Sequence, residues 1–273
     1  MKSLAGGTRP IFRYGPVPGL PGLETLEAHD LRLQYERHFH DTYAFGIVLA
    51  GVERCSVGRA LNFYEPGTVP MFNPGEVHDG GPATPQGWSY RMVYVDTALV
   101  PGERAFPRQA RRDALARQRT LELFDAIDYG TALGIEASLA LVLDTLLSQR
   151  PESSIASQTL DAVRQRIDEE CCEPLRLGHL AALAGRSPTG LLRGFARAYG
   201  LSPHRYQHSR RVARARNLIL QGRPLAEVAA MCGYADQGHL NRWFLRIHGT
   251  TPGRFRRAIS SKTGSRLDGT LTA

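Results

Sequence analysis

Ser187–Tyr206 reads SPTGLLRGFARAYGLSPHRY, and Asp236–Phe255 reads DQGHLNRWFLRIHGTTPGRF. The two stretches align at a constant offset of 49 residues, with leucine, arginine, phenylalanine, glycine and proline at matching positions. In each copy an N-cap residue opens a helix, a glycine ends it, and a Ser-Pro or Thr-Pro pair opens the next helix. A shorter helical pattern precedes each copy and ends at Gly185 or Gly233. The repeat therefore predicts two units of helix, short turn and helix, which is the helix-turn-helix plan.

Positive charge is concentrated in the same part of the chain. The 273 residues carry a formal net charge of +8, yet residues 1–100 hold 8 Lys and Arg against 10 Asp and Glu. Residues 157–258 hold 17 Arg against 7 Asp and Glu, and between Pro174 and Ala226 there are ten arginines and no carboxylate. A solvated helical face is the alternative explanation, but such faces usually mix both signs. A block of one sign in a foldable segment indicates a polyanionic partner, and double-stranded DNA fits the predicted motif.

The second helix of each unit carries the candidate DNA contacts. In helix-turn-helix proteins that helix enters the major groove with its N-terminal residues at the base edges. Helical spacing assigns the repeated leucines and phenylalanines to the core and puts Arg193 and Arg242 on another face. Amide side chains there suit the N6 and N7 atoms of adenine. The candidate DNA-contacting residues are Thr189, Gly190, Arg193, Arg197, Gln237, His239, Asn241, Arg242 and Arg246.

The first hundred residues are predicted to form a small β-barrel or sandwich. Short aromatic and β-branched runs alternate with turns rich in Gly and Pro, at intervals of about ten residues. The predicted strands are Tyr43–Gly51, Val52–Val57, Ala60–Tyr64, Thr68–Phe72 and Trp88–Val95. The fold class is thus α+β and multidomain, with a β-barrel followed by helices.

Two apolar helices are predicted after the strands. Leu115–Asp128 and Tyr129–Ser148 carry apolar residues at helical spacing, and the second is rich in Leu and Ala. Such faces need a partner surface, either the barrel or the same helices of a second subunit. We expect Leu133–Leu147, with Leu121 and Phe124, to pack partly across a homodimer interface. The polar stretch Arg150–Ser157 is predicted to be a linker.

Composition excludes several classes of protein. The chain is 42% hydrophobic and 22% charged, as globular proteins are, and no run approaches the roughly 18 apolar residues of a membrane span. Met1–Gly7 lacks the apolar region of a secretory signal. The four cysteines, at 55, 171, 172 and 232, have no disulfide-framework or CxxC spacing. We therefore expect a reduced, cytoplasmic protein without membrane association.

The C-terminal motifs resemble those of the AraC/XylS family of transcriptional regulators. The residues that carry the resemblance are Leu180-Ala181, Ser187, Leu192-Arg193, Phe195, Gly200–Pro203, Tyr206, Arg211-Val212, Ala215, Val228-Ala229, Gly233-Tyr234, Asp236-Gln237, Arg242, Phe244, Gly249 and Thr251-Pro252. The chain departs from the family pattern at Gly238 and Leu240, where a polar residue and Phe are frequent. The resemblance implies two helix-turn-helix units, joined by a long helix at about Pro203–Leu220, that enter successive major-groove segments. It implies a regulator that activates or represses transcription, with RNA polymerase as a further candidate partner.

The N-terminal region resembles cupins, the small β-barrels that serve as sensor domains in this family. His38-Phe39-His40 and Asn73–His78 carry that resemblance. Metal-binding cupins add a Glu soon after the first histidine pair, but Ala44 and Phe45 lie there. We therefore expect a small-molecule effector and no metal or other cofactor, although three imidazoles are able to bind Zn, Fe or Ni. The candidate effector-binding residues are His38, His40, Tyr43, His78, Trp88 and Tyr90.

The predicted organisation has four parts. Residues 1–100 form the cupin-like sensor, 101–156 the helical dimerisation segment and linker, 157–258 the DNA-binding domain, and 259–273 a frayed tail. The function that this organisation predicts is sequence-specific, effector-responsive regulation of transcription by a homodimer without enzymatic activity. The alternative is a cupin metalloenzyme with a helical appendage, which would explain the histidines but not the duplicated motif.

Overall fold

The computed structural model describes residues 11–149 and 158–257. Residues 11–149 are called the β-domain below, and residues 158–257 the helical domain. The predicted linker and the predicted tail lie outside the described residues. None of the helices in the described part is long and apolar enough to cross a membrane.

The β-domain contains twelve strands, two α-helices and one short 3₁₀ helix (Thr97–Leu99) within its described residues. The strands are β1 (Ile11–Pro16), β2 (Leu23–Leu31), β3 (Tyr35–His38), β4 (Tyr43–Ala50), β5 (Glu53–Val57), β6 (Ala60–Tyr64), β7 (Val69–Phe72), β8 (His78–Pro82), β9 (Trp88–Val95), β10 (Arg104–Ala105), β11 (Ala110–Arg111) and β12 (Ser148–Gln149), and the helices are α1 (Ala114–Tyr129) and α2 (Ala132–Leu146). A six-stranded sheet has the order β1-β2-β9-β4-β7-β11, and a four-stranded sheet has the order β3-β8-β5-β6. All neighbouring strands are antiparallel. The five predicted strands are confirmed as β4, β5, β6, β7 and β9, whereas the other seven strands were not predicted.

Helices α1 and α2 pack on the outer face of the larger sheet. Asp113 and Thr131 cap their N-termini through side-chain hydrogen bonds to backbone N–H groups. Leu123, Phe124 and the buried face of α2 join side chains of β4, β7 and β9 in one core. Phe124 is 1% exposed beneath the Arg91 guanidinium, so its predicted place at a homodimer interface is wrong. The β-domain, not a partner subunit, covers it.

The described part of the helical domain contains six α-helices and a shorter helical segment, and four of the helices end at predicted glycine stops. The α-helices are α3 (Gln158–Glu169), α4 (Leu177–Leu183), α5 (Pro188–Tyr199), α6 (Pro203–Leu220), α7 (Leu225–Met231) and α8 (Gln237–His248), and residues 252–257 are also helical. Ser187, Ser202 and Asp236 cap α5, α6 and α8 as predicted. Gly200 and Gly249 adopt left-handed φ values of 72° and 69° at the ends of α5 and α8, which favours glycine there.

The two domains share a hydrophobic core. The core of α6, α7 and α8 is continuous with the interior of the β-domain. Phe255 packs against Tyr14 of β1 with ring centroids 4.6 Å apart. Phe39 stacks on Tyr206 of α6 at 4.8 Å. The second helix-turn-helix unit is thus seated on the end of the β-domain.

Candidate DNA-binding and effector-binding sites

Helices α5 and α8 divide their side chains between the core and the surface. Leu191, Phe195, Leu240 and Phe244 are each 0% exposed, because the 3.6-residue period puts them on the face that packs against the rest of the domain. The candidate DNA contacts that are exposed are Thr189, Arg193 and Arg197 on α5, and Gln237, Arg242 and Arg246 on α8. This places both sets on the outer faces of corresponding helices.

Three candidate DNA contacts are only partly exposed. Gly190 donates its backbone N–H to the Ser187 hydroxyl and therefore belongs to the N-cap of α5. The His239 ring packs against Tyr234, with centroids 5.2 Å apart. The Oδ1 atom of Asn241 is buried and has no hydrogen-bond partner among the described residues. These positions offer less side chain to a ligand than the exposed arginines do.

Two arginines of α6 make contacts within the protein, one in the interior of the helical domain and one at the domain interface. Arg211 is 8% exposed, and its guanidinium donates to the backbone carbonyls of Cys171, Glu173 and Gly233. It therefore fixes the segment between α3 and α4 against the end of α7. Arg210 pairs with Asp41 of the β-domain and with Asp168 of α3. Some of the arginines between Pro174 and Ala226 therefore make contacts within the protein and are not free to bind DNA phosphates.

Carboxylates of the β-domain face arginines of the helical domain. Glu36 on β3 lies 3.5 Å from the Arg246 guanidinium of α8 and 3.9 Å from that of Arg205 on α6. Glu24 on β2 pairs with Arg216 of α6, which also donates to the Tyr14 hydroxyl. Arg246 is a candidate DNA contact, so an ion pair with the β-domain engages one of the candidate DNA-contacting residues in this conformation.

A cavity of about 50 Å³ lies inside the β-domain at its contact with the helical domain. Five of the six candidate effector-binding residues line it, namely His38, His40, His78, Trp88 and Tyr90. Tyr43 does not: its hydroxyl donates to the Arg104 carbonyl, and its ring lies in the core under α1 and α2. Alternation along β4 turns Tyr43 to the opposite face of the sheet.

Other residues line the cavity that were not predicted from the sequence. From the β-domain these include Tyr14, Tyr35, Glu53, Phe72 and Asp79, and from the helical domain Ile247, His248 and Phe255. Tyr35 and Tyr90 share a hydrogen bond between their hydroxyls, and Trp88 stacks on Tyr90 at 4.2 Å. Burial raises the pKa of the Glu53 carboxyl well above its ordinary value. Alternation along β9 brings Tyr94 into the same lining as Trp88 and Tyr90. No local signal predicts that the end of α8 closes the cavity.

Three histidines converge in this cavity. His38 and His78 are direct cross-strand partners in β3 and β8, and His40 follows β3 by two residues. One ligand nitrogen from each ring lies within 4.8 Å of the others, and the Nε2 atoms of His38 and His40 are 3.2 Å apart. Burial, followed by the neighbouring imidazoles, lowers the pKa of His40 well below its ordinary value, and burial also dominates the lowered pKa of His78. The rings are therefore neutral at pH 7.

A larger cleft of about 290 Å³ continues from the cavity along the domain interface. Tyr14, His40, Tyr94, Ile247 and His248 belong to both linings. The cleft adds residues of both domains, among them Glu24, Asp41, Arg216 and Asn217. A molecule in it would contact the β-domain and α6 at once.

Comparison with known proteins agrees with the division of the chain into a β-domain and a helical domain. Residues 20–147 match the model of the AraC-like ligand-binding domain, and residues 180–258 match a helix-turn-helix domain. The chain is 24% identical over 238 residues to YbfI, a helix-turn-helix-type transcriptional regulator of Bacillus subtilis, covering 80% of this chain and 86% of YbfI. It is also 24% identical over 156 residues to LumQ of Photobacterium leiognathi, a probable transcriptional regulator, covering 56% of this chain and 63% of LumQ.

Solved structures show the same fold. ToxT from Vibrio cholerae superposes with a TM-score of 0.53 over 92% of this chain and 98% of ToxT, at 7% identity. ToxT with a bound unsaturated fatty acid gives a TM-score of 0.52 over 93% of this chain and 97% of ToxT, at 11% identity. The two-domain architecture is therefore shared although little sequence is.

The fold and the two sites define a transcriptional regulator with a ligand-binding domain and a helix-turn-helix DNA-binding domain. The chain belongs to the AraC family. The predicted fold class and the predicted role as a transcriptional regulator with a ligand-binding domain are thereby confirmed.

Proposed function

We propose that a small-molecule effector at the domain interface controls how this regulator engages DNA. The observation that carries this proposal is the interface cleft, because its lining joins β-domain residues to Arg216 and His248 of the helical domain. A ligand that prefers one arrangement of the two domains shifts the population toward it. Effector binding and DNA binding are then coupled through the contact of α6 and α8 with the β-domain.

The proposed DNA interface consists of the exposed faces of α5 and α8 and the candidate residues they carry. Arg193 and Arg242 occupy equivalent positions of the repeat, and both are exposed. Each helix would read its own segment of one operator. Arg246 joins this interface only when Glu36 releases it.

The effector is proposed to be a small organic molecule that occupies the larger cleft. The inner cavity of about 50 Å³ is far smaller than the roughly 300–1,000 Å³ of typical ligand pockets. ToxT has been solved with an unsaturated fatty acid. A long-chain carboxylic acid is therefore a suitable first probe, with its carboxylate competing with Glu24 for Arg216.

Assembly and location complete the proposal. We propose a cytoplasmic homodimer that forms through the exposed apolar side chains of α1 and α2, acts together with RNA polymerase, and has no enzymatic activity. Leu133 is 75% exposed and Leu141 is 49% exposed, so both side chains are available for contact with a second subunit. We also propose that the functional parts of the chain divide at about residues 100 and 157.

The test is to map the genomic sites bound by the full-length protein and to measure affinity for the preferred site. Arg193→Ala and Arg242→Ala should each weaken binding, whereas Arg59→Ala, an exposed arginine in a turn of the β-domain, should not. A carboxylic acid probe should change the affinity of the wild type for that site. Sites without a common sequence, or affinity that no small molecule alters, would contradict the proposal.

A further inference from the structure

We propose that His38, His40 and His78 bind one divalent transition-metal ion, whose open coordination side faces His248 of the DNA-binding domain. The sequence-based expectation of no metal rested on the missing carboxylate after the first histidine pair. The structure instead provides three imidazoles at one point of the cavity. Imidazole is a suitable ligand for Zn, Cu, Fe and Ni.

Hydrogen bonding prepares the rings for a metal. The Nδ1 atom of His38 lies 2.7 Å from the Glu36 carbonyl, and that of His78 lies 2.9 Å from the Glu76 carbonyl. A carbonyl oxygen only accepts, so each Nδ1 carries the proton and each Nε2 presents a lone pair to the cavity. Such a backbone partner behind the ring is the usual outer support of a metal-bound histidine.

The spacing of the nitrogen atoms also fits. Two nitrogens bound to one tetrahedral zinc at 2.0–2.1 Å lie about 3.3 Å apart. The Nε2 atoms of His38 and His40 are 3.2 Å apart, and the third ligand atom is within 4.8 Å of both. Binding of one ion would draw the third nitrogen closer to the other two.

The surroundings favour a cation of this size. Glu53 and Asp79 line the cavity, whereas no Lys or Arg does in the part of the chain that the structure describes. A volume of about 50 Å³ accommodates an ion with one or two waters but not a typical organic ligand. Three protein ligands leave at least one position open, as in catalytic zinc sites.

The open side meets the helical domain. His248, the last residue of α8, lines the same cavity, and its Nε2 is buried without a hydrogen-bond partner among the described residues. A metal-bound water, or His248 itself, would join the ion to the helix that carries Gln237, Arg242 and Arg246. This coupling of metal to DNA binding rests on the function proposed above, whereas metal binding itself does not.

The experiment uses chelator-treated, full-length protein titrated with Co²⁺ and then with Zn²⁺. Visible absorption and elemental analysis should give about one ion per chain, with Zn²⁺ displacing Co²⁺. The double variant H38Q/H78Q should bind no stoichiometric metal. H40Q, whose ring lies at the partly exposed edge of the cluster, should bind at least about tenfold more weakly while keeping the wild-type circular dichroism. H29Q changes a histidine of the same domain that pairs with Glu27 and should bind as the wild type does.

Absence of stoichiometric metal in the wild type, or unchanged binding in H40Q and H38Q/H78Q, would overturn the site. For the coupling, Zn²⁺ should change the affinity of the wild type for its preferred DNA, and H248Q should retain the ion but alter the Co²⁺ spectrum and lose that effect. An H248Q protein with the wild-type spectrum and the wild-type response would overturn the role of His248. Specific DNA binding without metal binding would refute only the site, and metal binding without specific DNA binding would refute only the proposed function.

Discussion

Arg193 and Arg242 should read different parts of one operator. They are separated by the 49-residue repeat and lie on corresponding exposed faces of α5 and α8. Arg193→Ala should relax sequence preference in one segment and Arg242→Ala in another, about 10 base pairs away. Each lost bidentate contact to a base should cost about 1–3 kcal/mol of binding free energy.

Binding of both variants to a library of randomised sites measures this prediction. An unchanged preferred sequence with uniformly lower affinity would show that both arginines hold phosphates. The bases would then be read by Thr189, Gln237 and Asn241. Arg59→Ala supplies the control for the loss of one exposed arginine.

His208 should make the helical domain less stable in acid. Its ring is 3% exposed and stacks on Trp243 at 3.9 Å, and burial lowers its pKa from 6.5 to about 3. Above pH 6.5 both the folded and the unfolded chain carry the neutral ring. As the pH falls from about 6.5 to about 3, only the unfolded chain takes up this proton, so stability decreases, by at most about 1.4 kcal/mol per pH unit.

Urea unfolding at pH 7.5 and 5.5 tests the role of His208. H208Q should unfold at lower urea than the wild type at both pH values but should lose less stability between them. H179Q, which changes an exposed histidine of α4, should follow the wild type. An equal loss in H208Q and the wild type would assign the acid sensitivity to other groups.

At the level of elements, α1 and α2 carry the prediction about assembly. Leu133 and Leu141 are exposed, whereas Leu139 and Leu143 between and beyond them are buried on the larger sheet. L133E/L141E should therefore convert a dimer to a monomer at micromolar concentration with little loss of stability. L61E, at a half-exposed leucine of β6, should leave the dimer intact.

Sedimentation velocity of the two variants beside the wild type measures this change. L133E/L141E should also bind DNA more weakly, because it no longer dimerises. Two DNA-binding domains linked in a dimer bind more tightly than one, since the first bound domain raises the effective concentration of the second at the DNA. A wild type that stays monomeric at high concentration would mean that these leucines serve no subunit interface.

The elements differ in how far the sequence predicts them. Helices α4 to α8 follow from the caps Ser187, Ser202 and Asp236 and from glycine stops, since these signals are local. Strand β2 was not predicted because its pairing with β9 shifts at a bulge between Ala28 and Leu31, where Asp30 has a φ of 52°. A bulge interrupts the alternation on which strand prediction depends.

The residues of the candidate sites also differ in how far the sequence predicts them. His38 and His78 each lie in a short sequence motif, and the two residues meet across strands β3 and β8. Tyr43 was assigned to the effector site from its residue type alone, but its place in β4 turns it away. Glu36 and His248 become part of the sites only through packing of one domain on the other, over some 200 residues of sequence. No local pattern reports such a contact.

For the whole molecule, Glu36 of the β-domain is expected to restrain the helical domain through two ion pairs. Its carboxylate lies 3.5 Å from Arg246 and 3.9 Å from Arg205, and both arginines are about half exposed. Glu36→Gln removes the charge and keeps the shape, so both guanidinium groups become available to phosphate. Each exposed pair contributes only about 0–1 kcal/mol, so the loss of both pairs should raise the affinity for DNA by no more than about thirtyfold.

The matched control is Glu65→Gln, because Glu65 pairs with Arg112 inside the β-domain at 3.6 Å and should leave DNA affinity unchanged. The E36Q protein should also show a steeper dependence of DNA affinity on salt, since two more cations displace counterions from the DNA. The change in DNA affinity that the effector causes should be smaller in E36Q, because the ion pairs between Glu36 and the helical domain are already broken. Equal affinity and an equal salt slope in E36Q and the wild type would mean that the β-domain holds α8 through Phe255 and Tyr14 and not through charge.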